Sequence, residues 1–462
     1  MPKVEDLQAL NSELTHLNHA ITLMTWDQEI YLPKNGQHAR AQAIAHFSKL
    51  YHQTLLSDKT KKILQTNSDL DETQTLVLKE LQYQHDRAAK IPDDFVALMS
   101  QTASVAYHAW VDARKAGDFS VFSPHLAKVV DQHKQLAQYL GFEDTPYDAL
   151  LNQHERDMRT KDVEQLFATA KPRMIALLKK ITGAKKDIRT EVRHRTYPLR
   201  EQKAFNTKIV TDMGFSMDCG RLDKTVHPFM IRIGSNDVRI TYRGKEDDIL
   251  EQMTTLMHEA GHALYEQGFG ERWKDTVMYE ASSTAIHESQ SRTWENIIGR
   301  SQSFWDYYFP QLQAAFPEQL RDINPQQFVA LLNEVKPGFI RVESDELTYN
   351  FHIFLRFEIE KALIEGTLSV DDVPRVWNQK MQEYLGITPH NDQVGCLQDV
   401  HWAHGIGYFS TYTLGNMYAA QFMHKTEQDI PDLWKQISNG NLKVLREWQR
   451  EHIHQHCNRY TP

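Results

Sequence analysis

The 462 residues carry 52 Lys and Arg against 61 Asp and Glu, a net charge of -9, with 41% hydrophobic and 24% charged residues. These proportions suit a folded globular chain and exclude a disordered or fibrous one, and the acidic balance excludes non-specific binding of nucleic acid by the whole molecule. Three widely spaced cysteines, Cys219, Cys396 and Cys457, exclude a disulfide framework and a cysteine zinc knuckle.

The first residues, "MPKVEDLQALNSELTHLNHA", have no basic segment leading into an apolar one, and nowhere do 18 or more apolar residues run together. A soluble protein of the reducing cytoplasm is therefore expected. Leu7, Leu10, Leu14, Leu17 and Ile21 recur at steps of three and four, and similar spacing runs through Ile63 to Tyr83 and Val163 to Leu178. This predicts amphipathic helices packed on one another. Residues 171–203 hold eleven Lys/Arg against three Asp/Glu, which reads as a solvated basic face with a loop at Gly183 in preference to a polyanion site. Pro198, or the basic stretch before it, is the best boundary between an N-terminal helical portion and the remainder.

The clearest strand signal is "HPFMIRIGSNDVRITYR", residues 227–243, where alternation on each side of Gly234, Ser235, Asn236 and Asp237 predicts a hairpin with a four-residue turn. Residues 246–267 follow as a helix with two faces. Ile249, Met253, Leu256, Ala260 and Leu264 form an apolar stripe, with His258 and His262 nearly opposite. A four-residue step offsets two side chains by only about 40°, so both imidazoles can aim at one cation. Glu259 is rotated by about 100° from His258 and stands beside that point, placed to take a proton from water. Gly261 inside the helix predicts the close approach of another group.

A hydrolytic zinc site wants three protein ligands and an open position. "YEASSTAIHESQSRTWEN", residues 279–296, reads as a second helix whose small residues beside Glu288 allow close packing, making Glu288 the candidate third ligand. His287, about 100° away on the wheel, reads as an orienting or structural residue. Farther on, "HWAHGIGYFSTYTLGN", residues 401–416, offers His401 and Tyr412 as donors to a developing oxyanion. "HIHQHC", residues 452–457, is rich in metal-binding residue types but has no nearby carboxylate, and reads as structural.

With these motifs in hand, the chain resembles the carboxypeptidase Taq family of metallocarboxypeptidases. The likeness runs from "WDQEIYLP" at Trp26 to "REHIHQH" near the end. It includes "HPF" at His227 to Phe229, Asp237, Arg239 and Thr241, the histidine helix, "HESQ" at His287 to Gln290, "IRVESD" at Ile340 to Asp345 and "GCLQDVHW" at Gly395 to Trp402. Ser344 replaces an alanine of the family pattern, a small-for-small change.

The resemblance implies that His258, His262 and Glu288 bind one divalent metal, zinc or cobalt, and that Glu259 is the general base. It implies Arg341 as anchor for a substrate carboxylate, assisted by Tyr408. Arg239 and Arg292 stay open as alternatives, and His227 as a residue lining the site. The implied fold is mainly α, a single large helical body with two lobes around a deep groove and a small β-ribbon near the metal. Residues 1–200 would roof the groove and residues 201–462 would form the catalytic lobe of one continuous peptidase domain. A homodimer releasing single residues from peptide C-termini is implied. A metallo-oligopeptidase, a dipeptidyl carboxypeptidase or a non-catalytic peptide-binding scaffold with a structural metal are the alternatives.

Overall fold

The computed structural model describes residues 4–65, 70–184 and 187–462. Helices dominate it, as the three- and four-residue spacing predicts, and a small sheet interrupts them between residues 220 and 242. The first helix, Val4–Ile30, buries Leu7, Leu10, Leu14 and Trp26 and packs on the second, Gln37–Leu55. The expected run from Ile63 to Tyr83 is two helices, Asp58–Leu64 and Glu72–Ala89, with residues 66–69 outside the described residues. Asp71 explains the restart. Its Oδ1 accepts from Gln74 N at 2.8 Å, while Gln74 Oε1 accepts from Asp71 N at 3.0 Å, a reciprocal cap that favours a new N-terminus.

Val163 to Leu178 lies inside the helix Thr160–Thr182, which ends at Gly183. Beyond it the basic stretch is less free than its composition suggests, though Lys185 and Lys186 lie outside the described residues. Arg189 and Arg195 share Asp322, and Arg193 makes paired contacts of 3.0 and 2.7 Å with Asp248. These arginines join segments far apart in the chain.

The predicted hairpin forms as β2 (Met230–Gly234) and β3 (Asp237–Tyr242), to which β1 (Gly220–Lys224) adds a parallel edge, in the order β1-β3-β2. Two details differ from expectation. Gly234 pairs directly with Asp237, so the turn has two residues, Ser235 and Asn236, with Asn236 at φ 63°; asparagine tolerates that left-handed conformation. The edge strand β1, "GRLDK", lacks a clear apolar alternation because its residues are at most half-buried, and it is held by backbone pairing with β3.

Among the described residues, three hydrophobic cores hold the body together. One joins residues between Phe95 and Leu178 to residues between Ala285 and Leu414, and another joins residues between Leu7 and Leu81 to residues between Tyr265 and Cys457. The stretches before and after residue 200 therefore share two cores. The third core takes Ile249, Met253, Leu256, Ala260 and Leu264, the apolar stripe of the histidine helix, and leaves His258 and His262 outside it. No helix among the described residues is long and apolar enough to cross a membrane.

Candidate metal centre and active site

The histidine helix spans Ile249–Gln267. Asp248 caps it by accepting from Leu250 N at 3.0 Å and Glu251 N at 3.2 Å. The second helix is shorter than its periodicity suggests. It runs over Thr284–Arg292, capped by Ser283, and continues as a single π turn over Thr293–Ile298. Gly261 lets the two helices meet: a Cβ there would lie 2.6 Å from Ser291 Cα, the close approach that the glycine predicted. On its other flank Glu288 is packed by the helix Ser410–Asp429, where a Cβ on Gly415 would fall 2.7 Å from Glu288 Cβ.

Among the described residues, His258, His262 and Glu288 form the one group of three or more histidine, cysteine or acidic side chains able to converge on a cation, with ligand atoms within 4.8 Å of one another. Each turns one atom toward the other two while its second polar atom is held elsewhere. His258 Nδ1 is held by Glu295 Oε2 at 2.8 Å. His262 Nδ1 faces the His287 carbonyl at 3.1 Å and His287 Nδ1 at 2.5 Å. Glu288 Oε1 accepts from Arg292 Nε at 2.6 Å. Nε2 of each ring and Glu288 Oε2 face one another, with Oε2 3.8 Å from His258 Nε2 and 3.4 Å from His262 Nε2, and Oε2 also accepts a long bond from Ser291 Oγ at 3.3 Å. Two imidazole lone pairs and one carboxylate oxygen with their other atoms tied down fit a divalent cation.

The electrostatics agree with the geometry. Burial pushes the Glu288 carboxyl up, but Arg292, His258 and His262 outweigh it and hold the group well below the usual carboxylate range. Burial, reinforced by His287, drops His262 to about 3 and keeps its ring neutral. Burial alone would lower His258 as well, yet Glu288 and Glu295 raise it, so a proton competes for the nitrogen a cation would use. Glu259 is buried, and that burial lifts it to about 7 against the opposing pull of His258.

His401 Nε2 and Tyr412 Oη lie 3.4 Å apart. The Tyr408 ring stacks on His401 at 5.9 Å and stands edge-on to Tyr412 at 5.2 Å. Arg341 is 5% exposed and already engaged: Nε and Nη2 meet Asp399 Oδ1 at 3.0 and 2.9 Å, and Nη1 donates to Tyr349 Oη at 2.8 Å. Arg239 is paired with Asp237, and Arg292 with Glu288 and Glu295. His227 is exposed on the segment between β1 and β2. In the terminal histidine run, His454 is buried with Nε2 on Gln290 Oε1 at 2.9 Å, a structural contact.

The carboxypeptidase Taq (M32) metallopeptidase family model matches residues 6–462. The chain belongs to that family. It is a metallocarboxypeptidase, a peptide hydrolase that works with a divalent metal. It is 39% identical to carboxypeptidase 1 of Bacillus subtilis, over 98% of this chain and 91% of that one. Thermostable carboxypeptidase 1 of Thermus thermophilus is 38% identical, covering 99% and 93%. Among solved structures, the Pyrococcus furiosus carboxypeptidase aligns with a TM-score of 0.96 at 36% identity over 100% of this chain and 94% of that one.

In this M32 carboxypeptidase a cavity of about 540 Å³ opens beside the cluster. Its wall combines His262, Glu288 and Tyr408 with Tyr83 and Arg87 from the helix Glu72–Ala89 and with Asn152, Gln153, His154 and Arg156, so N-terminal residues face the candidate metal centre. Sequence reasoning missed Glu295 and Asp399. Glu295 follows Glu288 and Arg292 at steps of four and three, a same-face pattern that was available in the sequence. Asp399 had no such signal, because Arg341 is 58 residues away.

Proposed function

We propose that His258, His262 and Glu288 hold the divalent metal of this carboxypeptidase and that Glu259 is its general base. The observation that carries this reading is the convergence of three ligand atoms whose partner atoms are fixed by Glu295, His287 and Arg292. A divalent cation there, zinc or in its place cobalt, polarises a peptide carbonyl and lowers the pKa of water toward about 7.

Glu259, raised to about 7 by burial, accepts a proton from the attacking water near neutral pH and returns it to the leaving amine. His401 and Tyr412 stabilise the developing oxyanion, donors of a kind worth about 3–4 kcal/mol each. Arg341 receives the substrate's terminal carboxylate, assisted by Tyr408. Asp399 and Tyr349 fix its guanidinium without engaging all five N–H donors. His227 lines the margin of the groove. Residues 1–200 roof that groove and residues 201–462 carry the chemistry, in a cytoplasmic homodimer that removes one residue at a time.

Incubation with a peptide ladder, followed by weighing of the products, tests the reading. Loss of single C-terminal residues is expected, abolished by chelator and by amidation of the terminus. Cleavage of amidated peptides, or release of dipeptides, would instead assign an oligopeptidase or dipeptidyl carboxypeptidase. Metal-dependent folding without hydrolysis would assign a peptide-binding scaffold.

A further inference from the structure

Residues 152–156 leave the short helix Pro146–Leu151 and cross the first turn of the helix that carries Glu288. The His154 carbonyl accepts from Thr284 N at 3.0 Å, and Glu155 Oε2 accepts from Ala285 N at 3.1 Å. Ser283 Oγ accepts from Ile286 N at 3.1 Å. The N–H groups of a first helical turn have no acceptor within the helix, and here two of the three are taken by one dipeptide from the first half of the chain.

Glu155 is 0% exposed, its Oε1 makes no hydrogen bond, and the Ser283 and Tyr418 hydroxyls adjoin its carboxylate. The same strap sets the His154 ring edge-on to Tyr408 at 5.2 Å. It is fastened to the helix Glu72–Ala89 through Arg156 to Glu80 at 2.9 Å and Asn152 to Tyr83 Oη at 3.2 Å.

We propose that Glu155 is a positioning residue for metal binding, fixing the axial placement of the helix Thr284–Arg292 and thereby the place of Glu288 relative to His258 and His262. The inference rests on the reading of Glu288 as a ligand. The helix has nine residues and runs directly into a π turn, so its ends carry much of the task of locating it. Gly261 and Gly415 set how close its neighbours come, whereas the bond to Ala285 N, one turn before Glu288, resists sliding along the axis. A buried carboxylate with one oxygen unpartnered is costly to retain, and an apolar side chain of similar volume would leave the Ala285 N–H without an acceptor.

The test titrates Zn²⁺ into metal-free full-length protein against a chromophoric chelator, for wild type, E155M, E155Q and E288Q, with the thermal midpoint of each metal-free protein measured alongside. E288Q should lose at least about 100-fold in affinity, and E155M about tenfold or more, the scale of losses when groups that orient ligands are removed. E155Q, which keeps one acceptor oxygen, should lose about three- to fivefold on that scale. A residue serving the fold alone would lower the metal-free midpoint of E155M and leave its zinc affinity within about twofold of wild type on the same scale, overturning the proposal. If E288Q keeps wild-type affinity, the ligand assignment itself fails. Should E155M not fold, E155Q decides: an unchanged affinity overturns the proposal, and a loss of threefold or more on that scale supports it.

Discussion

Glu295 and the carbonyl of His287 determine which nitrogen of each histidine is free. Both occupy Nδ1 and so direct Nε2 toward Glu288, in the manner by which outer partners commonly set a ligand's tautomer. Replacing Glu295 by alanine should therefore lower zinc affinity about 10–100-fold, read by chelator competition, without altering a protein ligand. Glu259 answers to a different measurement. E259Q should keep wild-type metal content and lose about 10²–10⁴-fold in kcat, measured by metal analysis and steady-state hydrolysis of a short peptide. The juxtaposition of the two histidines and Glu259 was legible because it is local, fixed by the geometry of one helix. The engagement of Arg341 by Asp399 was not, since nothing about either residue's neighbours in the chain indicates the other.

At the scale of elements, two glycines bring three helices within reach of one another. A methyl group at Gly261 would meet backbone, Ser291 Cα at 2.6 Å and Gln290 O at 2.7 Å, which cannot rotate out of the way. G261A should thus cost about 1–3 kcal/mol in overpacking, seen as a lower thermal midpoint, and should weaken zinc binding because the two helices that carry the proposed ligands are forced apart. G338A is the control, since nothing lies within 4 Å of its added Cβ. Helix interiors followed from periodicity, but ends did not. The second helix begins at Thr284 because Ser283 caps it, and it widens into a π turn at Thr293. That turn carries Glu295, and such turns recur at functional sites.

The whole molecule buries histidines outside the site as well, and these add to its response to acid. His352 and His454 are each 1% exposed, and burial lowers them to about 4 and about 3; His133 is lowered in the same way. A histidine whose folded pKa is depressed contributes stability that is fully present above its unfolded value and is lost as pH falls toward the folded one. The urea midpoint of the metal-free protein should accordingly drop between about pH 6.5 and pH 4, with His352 alone accounting for roughly 3 kcal/mol. H352Q, if it folds, should flatten that dependence. The two cores shared across residue 200 make this a property of the full chain. By itself the sequence determined the helical class, the hairpin, the family motifs and the two faces of the histidine helix, because each depends on spacings within a few turns of chain. Only the tertiary structure decided that Glu295 and His287 orient the imidazoles, that Asp399 holds Arg341, and that residues 154 and 155 cap the helix of Glu288, because packing, and no local spacing, brings groups tens to hundreds of residues apart into hydrogen-bonding distance.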